Sequence, residues 1–525
     1  MSGLGLPEPV GAAPVGAAPV GAAPVGAAPV GAGGSLLVVD VGTSGVRAAV
    51  VRPDGTVDHA HHRRVLPTTP FPGLVEVDAA GIASIVLDLA RATLKAAGPV
   101  SGVGIANQRA TTIVWDRTTG EPVGPGIGWQ DLRTVGTCLA MQADGFRLPP
   151  NASATKLAAI LDTVDPDRSR SGDELCFGTV DSWVAWTLSG GAPGGALHVT
   201  DATNAAVTWM LRADSLQWDD RVLAALGIPA GMLPEVVDSS GVVGEATALP
   251  GSPPICGIAG DQQASLVGQG CTRPGLAKAT FGTGGMLDLC TGTTGPDGFD
   301  RDNGGTFPIV AWRRGGSPVW GVEAMMLSAG SCVEWLRDDL GILSSAEESA
   351  AVAASCADTG DLWFVPALLG LGTPVWDFGA RGTIVGITRG SGRPEIVRAV
   401  LDGVAHRGAD LLQAAELDSG LRVGALRVDG GMSANEVFVQ ALADATGRPV
   451  QVSPELEATT LGAGYLAGMA IGTWRDTDDV AAVYRPALTV EPQLGPAMVE
   501  RRRERWADAR RRAERTIPEL SEIDL

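Results

Sequence analysis

Lysine is nearly missing from this chain: Lys95, Lys156 and Lys278 are the only three among 39 basic residues. None of them follows a glycine-rich loop, so a phosphate loop of the Walker type, which needs a lysine to reach the phosphates, is excluded. A basic surplus is also missing. The formal net charge is −20, and nucleic-acid phosphates require a cationic face, so nucleic-acid binding is excluded. No run of 18 or more apolar residues occurs, and the start of the chain lacks the basic segment and apolar stretch of a secretory signal. Membrane insertion is therefore excluded and a cytoplasmic location is expected. The seven cysteines (Cys138, Cys176, Cys256, Cys271, Cys290, Cys332 and Cys356) lack C-x-x-C spacing. Reduced, buried thiols are expected rather than disulfides or a zinc site.

What is present is ample core material. Hydrophobic residues make up 45% of 525 and charged residues 19%, too long a chain for one core, so two domains of roughly 200 to 250 residues are expected. Residues 9–33 repeat PVGAA four times and finish on PVGAG. Regular prolines prevent helix there and small side chains offer nothing to bury, which predicts a disordered leader.

Three short strings carry the chemistry: DVGTSG at 40–45, GIAGDQQ at 257–263 and TFGTGG at 280–285. In each, apolar or β-branched residues run into glycine. Without a Cβ the backbone can turn tightly and aim N–H groups and hydroxyls at one anion. The aspartates Asp40 and Asp261 cannot hold phosphate themselves, but each could hold a Mg²⁺ that bridges phosphate oxygens or accept a proton from an attacking hydroxyl. Strand-like segments at 36–40, 46–55, 100–107 and 111–116 surround a helical pattern at 82–97, and the strand, glycine turn, strand sequence restarts at 276–290. LRVDGGMSAN at 426–435 supplies a further glycine turn before a helical segment. This alternation predicts two related α/β domains facing a cleft, with phosphate loops from both sides.

Several features are expected to be structural. Trp129 taken alone reads as a core aromatic. His198 and His406 have no nucleophile to pair with. HAHH at 59–62 reads as a surface strand, and the arginine-rich segment 500–515, with Glu500, Glu504, Asp508 and Glu514 interspersed, as a solvated helix held by i to i+4 pairs.

From about 35 to 515 the chain resembles the FGGY family of carbohydrate kinases, and within it the glycerol kinase branch. The matching strings include DVGTSGVR (40–47), NQRATTIVWDRTTGEPV (107–123), WQDLRT (129–134), HVTDATNAA (198–206), GIAGDQQASLVGQ (257–269), FGTGG (281–285), WDFGARGTIVGITRG (376–390) and RVDGGMSAN (427–435). The resemblance implies an actin-like ATPase (ribonuclease H-like) fold that closes on ATP and a small polyol. Residues 35–270 would form an N-terminal domain for the acceptor, 271–515 a C-terminal domain for the nucleotide, with 1–34 a leader and 516–525 a tail. Carried over by position, Asp40 would serve Mg²⁺, and Gly42, Thr43, Ser44 and Arg47 would line the phosphate loop. Gly282 and Thr283 would meet phosphates from the other side, Gly330, Glu334, Gly431 and Asn435 would surround the nucleotide, and Asp261 would be the base. Arg109, Trp129, Asp261 and Gln262 would hold the acceptor. The resemblance also implies a homodimer or homotetramer.

The acceptor wall departs from that branch. Ala110 stands where the pattern has glutamate, Asn151 where it has tyrosine, Ala159 where it has tryptophan, and Met286 where it has phenylalanine. Loss of one charge-assisted hydrogen bond costs roughly 1.5 to 3 kcal/mol of binding. Glycerol remains the first expectation. A kinase for another polyol or a ketose is the alternative, and a non-catalytic actin-like nucleotide-binding protein a further one. The loop ALPGSPP (248–254) lacks the arginine of members that respond to fructose 1,6-bisphosphate, so no inhibition by it is expected.

Overall fold

A computed structural model describes residues 33–192, 196–454 and 457–523. The leader expected over 1–34 lies, but for its last two residues, outside the described residues.

The apolar run at the start of the first domain forms β1 (Leu36–Gly42), which turns back through Thr43 and Ser44 into β2 (Gly45–Val51) and then β3 (Val57–Arg64). Helix α1 (Ala79–Ala97), capped by Asp78, covers one face and leads to β4 (Gly102–Asn107). β5 (Ser240–Glu245) and β6 (Pro254–Gly260) complete a six-stranded mixed sheet in the order β5-β6-β4-β1-β2-β3, in which β1, β4 and β6 run parallel. α2 (Asp261–Gly268) follows β6 without a loop.

The second sheet repeats the scheme. β7 (Ala277–Phe281) turns through Gly282–Gly284 into antiparallel β8 (Gly285–Gly292), with β9 (Phe307–Arg314) and β10 (Ser317–Met326) beyond it. Helices α3 (Gly330–Asp338) and α4 (Arg393–Ser419) precede β11 (Leu426–Asp429), α5 (Glu436–Thr446) and β12 (Val450–Val452). With β13 (Leu488–Val490) the order is β9-β10-β8-β7-β11-β12-β13, where β7, β11 and β12 are parallel. In each sheet the first hairpin carries a glycine turn, and its first strand is flanked on the other side by two strands parallel to it.

α6 (Ala458–Ile471) crosses from the second half to pack on α2, β6 and β4 of the first. Side chains at the α2–α6 contact would not fit: a Cβ on Gly462 would run into the carbonyl oxygen of Ala264, and one on Gly268 into that of Ala458.

The arginine-rich segment is a helix, α7 (Pro496–Ala513), but it is not merely solvated. Trp506, Ala509 and Ala513 are buried, and Arg503 and Arg510 pair with the buried Asp410 of α4. Of the expected i to i+4 pairs, Arg510–Glu514 and Arg512–Asp508 form on the outer side. The expectation missed that one face of this helix is core.

HAHH lies on the largely exposed β3. His198 is half-buried with its pKa pushed down to about 4 by desolvation, and burial likewise holds His406 well below its ordinary value, where it stacks on Trp506. The seven cysteines are unpaired, six of them buried. Among the described residues no helix is long and apolar enough to cross a membrane.

Candidate active site

The parallel strands of the first sheet end together, which brings Asp40 (β1), the segment after β4 and Asp261 (after β6) to one edge. Asp261 is the first residue of α2. Its Oδ1 accepts from the Gln262 backbone N–H at 2.8 Å, and the preceding Gly260 N–H donates to Thr203 Oγ1 at 2.9 Å. The carboxylate thus sits at a strand-to-helix junction held by backbone N–H bonds, with its side chain 30% exposed. Burial raises its pKa above the ordinary carboxylate value, against the opposing charge of Arg109.

Asp40 is close enough for its charge to be felt at Asp261's side of the cleft, and burial raises its pKa to about 7, with Arg47 opposing and Asp261 adding. Among the described residues nothing donates a hydrogen bond to Asp40, and its nearest cation is Arg47 at 3.9 Å. A desolvated carboxylate that lacks donors is suited to a divalent cation, whose oxygen ligands are of this kind. Arg47 itself pairs with Glu457 at the start of α6.

Arg109 is the hinge of the acceptor side. Its Nε lies 3.5 Å from Asp261 Oδ1, its Nη2 lies 2.7 Å from Glu323 Oε2 on β10 and 3.9 Å from Met286 Sδ on β8. Its Nη1 is buried and without a partner. Trp129 is not a plain core aromatic: its indole N–H donates to Thr43 Oγ1 at 3.2 Å, which ties the acceptor wall to the phosphate turn. Lys156 Nζ props this wall by donating to the carbonyls of Trp129 (2.9 Å) and Asn151 (3.2 Å), and burial lowers its pKa to about 7. Ala110 is buried in a left-handed backbone conformation, φ 60°, and its carbonyl accepts from Ser153.

On the second sheet the structure brings Gly282, Thr283 and Gly330 together. Gly330 N–H donates to Gly282 O and Ala329 N–H to Thr283 O, both at 2.8 Å. A Cβ on Gly282 or Gly431 would meet nothing within 4 Å, so both backbones face open space. Asn435 is more committed than expected: its Oδ1 caps α5 by accepting from Val437 and Phe438, and its Nδ2 donates to Ser349. Glu334 lies one turn into α3 and is exposed.

The sequence reading missed a row of charges across the second sheet. Lys278, Asp288 and Glu323 occupy directly opposed positions on β7, β8 and β10. Lys278 and Asp288 are fully buried and 2.7 Å apart, and burial raises the Glu323 pKa to about 7. The signal was present as one lone charge in each of three apolar strands, LAKATF, MLDLC and WGVEAMM.

The profile of the FGGY family of carbohydrate kinases matches with its N-terminal domain over residues 35–268 and with its C-terminal domain over residues 278–471. The glycerol kinase of Aromatoleum aromaticum is 42% identical over 499 residues, 91% of this chain and 98% of its own length. That of Trichlorobacter lovleyi is 43% identical over 493 residues, 90% of this chain and 96% of its own. Among solved structures, Plasmodium falciparum glycerol kinase with ADP superposes with a TM-score of 0.84 at 26% identity, covering 94% of this chain and 99% of that one. A ligand-bound xylulose kinase from Lactobacillus acidophilus shares the fold, with a TM-score of 0.79 at 20% identity over 90% of this chain and 96% of that one. The expected architecture, two related α/β domains of the actin-like ATPase type, is the one found.

Proposed function

Because the chain belongs to the FGGY family of carbohydrate kinases, we propose that it transfers the terminal phosphoryl group of ATP to a small polyol, first of all glycerol, giving glycerol 3-phosphate. The observation that carries this reading is Asp261, held at the β6–α2 junction beside Arg109, which itself reaches Glu323 and Met286 of the second sheet.

Phosphoryl transfer asks for alignment and charge neutralisation more than for covalent chemistry. Arg109 and Gln262 hold the acceptor, Trp129 and Met286 flank its carbons, and Asp261 takes the hydroxyl proton as the oxygen bonds to phosphorus and ADP leaves. An upward-shifted carboxylate is a better base near neutral pH than an ordinary one. Gly42, Thr43, Ser44 and Arg47 meet the phosphates from the first sheet and Gly282 and Thr283 from the second. Gly330, Glu334, Gly431 and the Asn435 backbone border the nucleotide. Asp40 is the residue to hold Mg²⁺, which when bound neutralises charge on the phosphate oxygens. Family resemblance supports a cytoplasmic homodimer or homotetramer.

A second reading, a kinase for a tetritol or ketose, is favoured by Ala110, Asn151 and Met286, which leave the acceptor wall without the branch's carboxylate and aromatics. Coupled ADP release over a panel of glycerol, tetritols and ketoses decides between them, with Asp261→Ala as control. Turnover of glycerol above all others, lost in the variant, is expected. Preference for another acceptor selects the second reading, and activity that survives Asp261→Ala removes the kinase mechanism.

A further inference from the structure

Lys278 is a fully buried ammonium that the mechanism above does not use. Its Nζ has three protons and three oxygen partners: Asp288 Oδ2 at 2.7 Å, Gln262 Oε1 at 2.5 Å and Thr280 Oγ1 at 3.1 Å. An ammonium can only donate, so the Gln262 atom facing it must be the carbonyl oxygen. The amide nitrogen is thereby turned to the opposite side, and among the described residues it has no partner. Gln262 is half-buried and adjoins Asp261 at the cleft.

We propose that Lys278, anchored by Asp288, is a positioning residue that locks the Gln262 side chain as a donor to the acceptor substrate. The proposal rests on the kinase reading for its substrate and deepens it. An unanchored amide rotates freely between donor and acceptor faces, since its nitrogen and oxygen are nearly the same size. With Lys278 in place the site offers two donors, the Arg109 guanidinium and the Gln262 amide, beside Asp261, which accepts from the reacting hydroxyl. It is therefore selective for acceptors whose oxygens beside the reacting hydroxyl receive hydrogen bonds. Lys278 reaches from the second sheet to a side chain on α2 of the first half, so the lock also depends on the two halves standing in register.

Lys278→Met tests this, with the Lys278→Met/Asp288→Leu double variant beside it because the single change leaves Asp288 an unpaired buried charge. The expected result in the double variant is an acceptor KM raised by about tenfold or more, the worth of one well-aligned hydrogen bond, with the ATP KM within about twofold of wild type. Adding Gln262→Ala to it should raise the acceptor KM no further, since both changes remove one interaction. A wild-type acceptor KM in the double variant, or a fully additive effect of Gln262→Ala, overturns the proposal. A crystal structure of the double variant reads the lock directly: a reoriented or disordered Gln262 side chain supports it, and an unchanged one overturns it. Should the wild type phosphorylate nothing in the panel, the kinase reading falls, while the crystal structure still decides the role of Lys278.

Discussion

A carboxylate that holds a cation competes with a proton for the same oxygens, and Asp40 enters that competition with its pKa raised to about 7 by burial. Below that value it is mostly neutral and must lose its proton before it can serve Mg²⁺. The half-saturating Mg²⁺ concentration is therefore expected to be about tenfold higher at pH 6 than at pH 8, and Asp40→Asn should flatten the difference as well as raise the requirement. Titration of activity with Mg²⁺ at fixed ATP across that range checks it, and a flat profile in the wild type tells against Asp40 as the metal residue. The folding linkage of the metal-free protein has a related sign. A folded pKa raised above the ordinary 3.8 favours folding in acid, and that contribution is lost as pH rises through about 7. Asp40→Asn should accordingly stabilise the metal-free protein at pH 8 and have little effect near pH 4, by thermal unfolding.

Among the elements, α7 tests how charge and apolar pattern compete in reading a helix. Trp506 is fully buried, stacks on His406 and donates its indole N–H to Asp410, which also receives Arg503, Arg510 and Arg407. Those guanidinium groups outweigh the cost of burial and hold the Asp410 carboxylate well below the usual range. Trp506→Ala should cost about 3 to 5 kcal/mol, as expected for removal of a fully buried aromatic. Arg512→Ala on the outer side should cost under about 0.5 kcal/mol. Urea unfolding of both variants checks the contrast, and equal midpoints would mean that the helix is solvated after all. The apolar face was legible in principle, since Trp506, Ala509 and Ala513 recur at helical spacing. It was obscured because two of its three members are alanines, which weigh little beside the ten charged residues of the helix. The strands around the glycine turns were easier to read: apolar runs such as LLVVD end where glycine permits a turn. The charge row Lys278–Asp288–Glu323 was hidden for a different reason, because it depends on strand register, and register is a property of pairing rather than of any one segment.

At the scale of the whole molecule the recurrence of glycine turns conveyed the duplicated sheets, but nothing local announced that α6 changes sides. Eleven of its 14 residues are buried, and a helix that is apolar all round belongs at the centre of a packed body rather than on its surface. One core cluster draws Leu36, Val38 and Cys256 from the first half, Cys290 and Trp312 from the second, and Leu461 and Leu466 from α6 itself. A cut at residue 270 would therefore remove the cover from β6, β4 and α2, and the glycine-lined seat of α6 would face water. The fragment 33–270 is expected to be insoluble, or to unfold without a cooperative transition, when made alone. Co-expression with 271–525 should return a soluble complex. Joining residues 457–473 to the end of 33–270 through a flexible linker should restore a cooperative transition to the first half by itself. Circular dichroism melts of the three forms decide the matter. A cooperative melt of 33–270 alone would show that the first sheet carries its own core and that α6 merely rests on it.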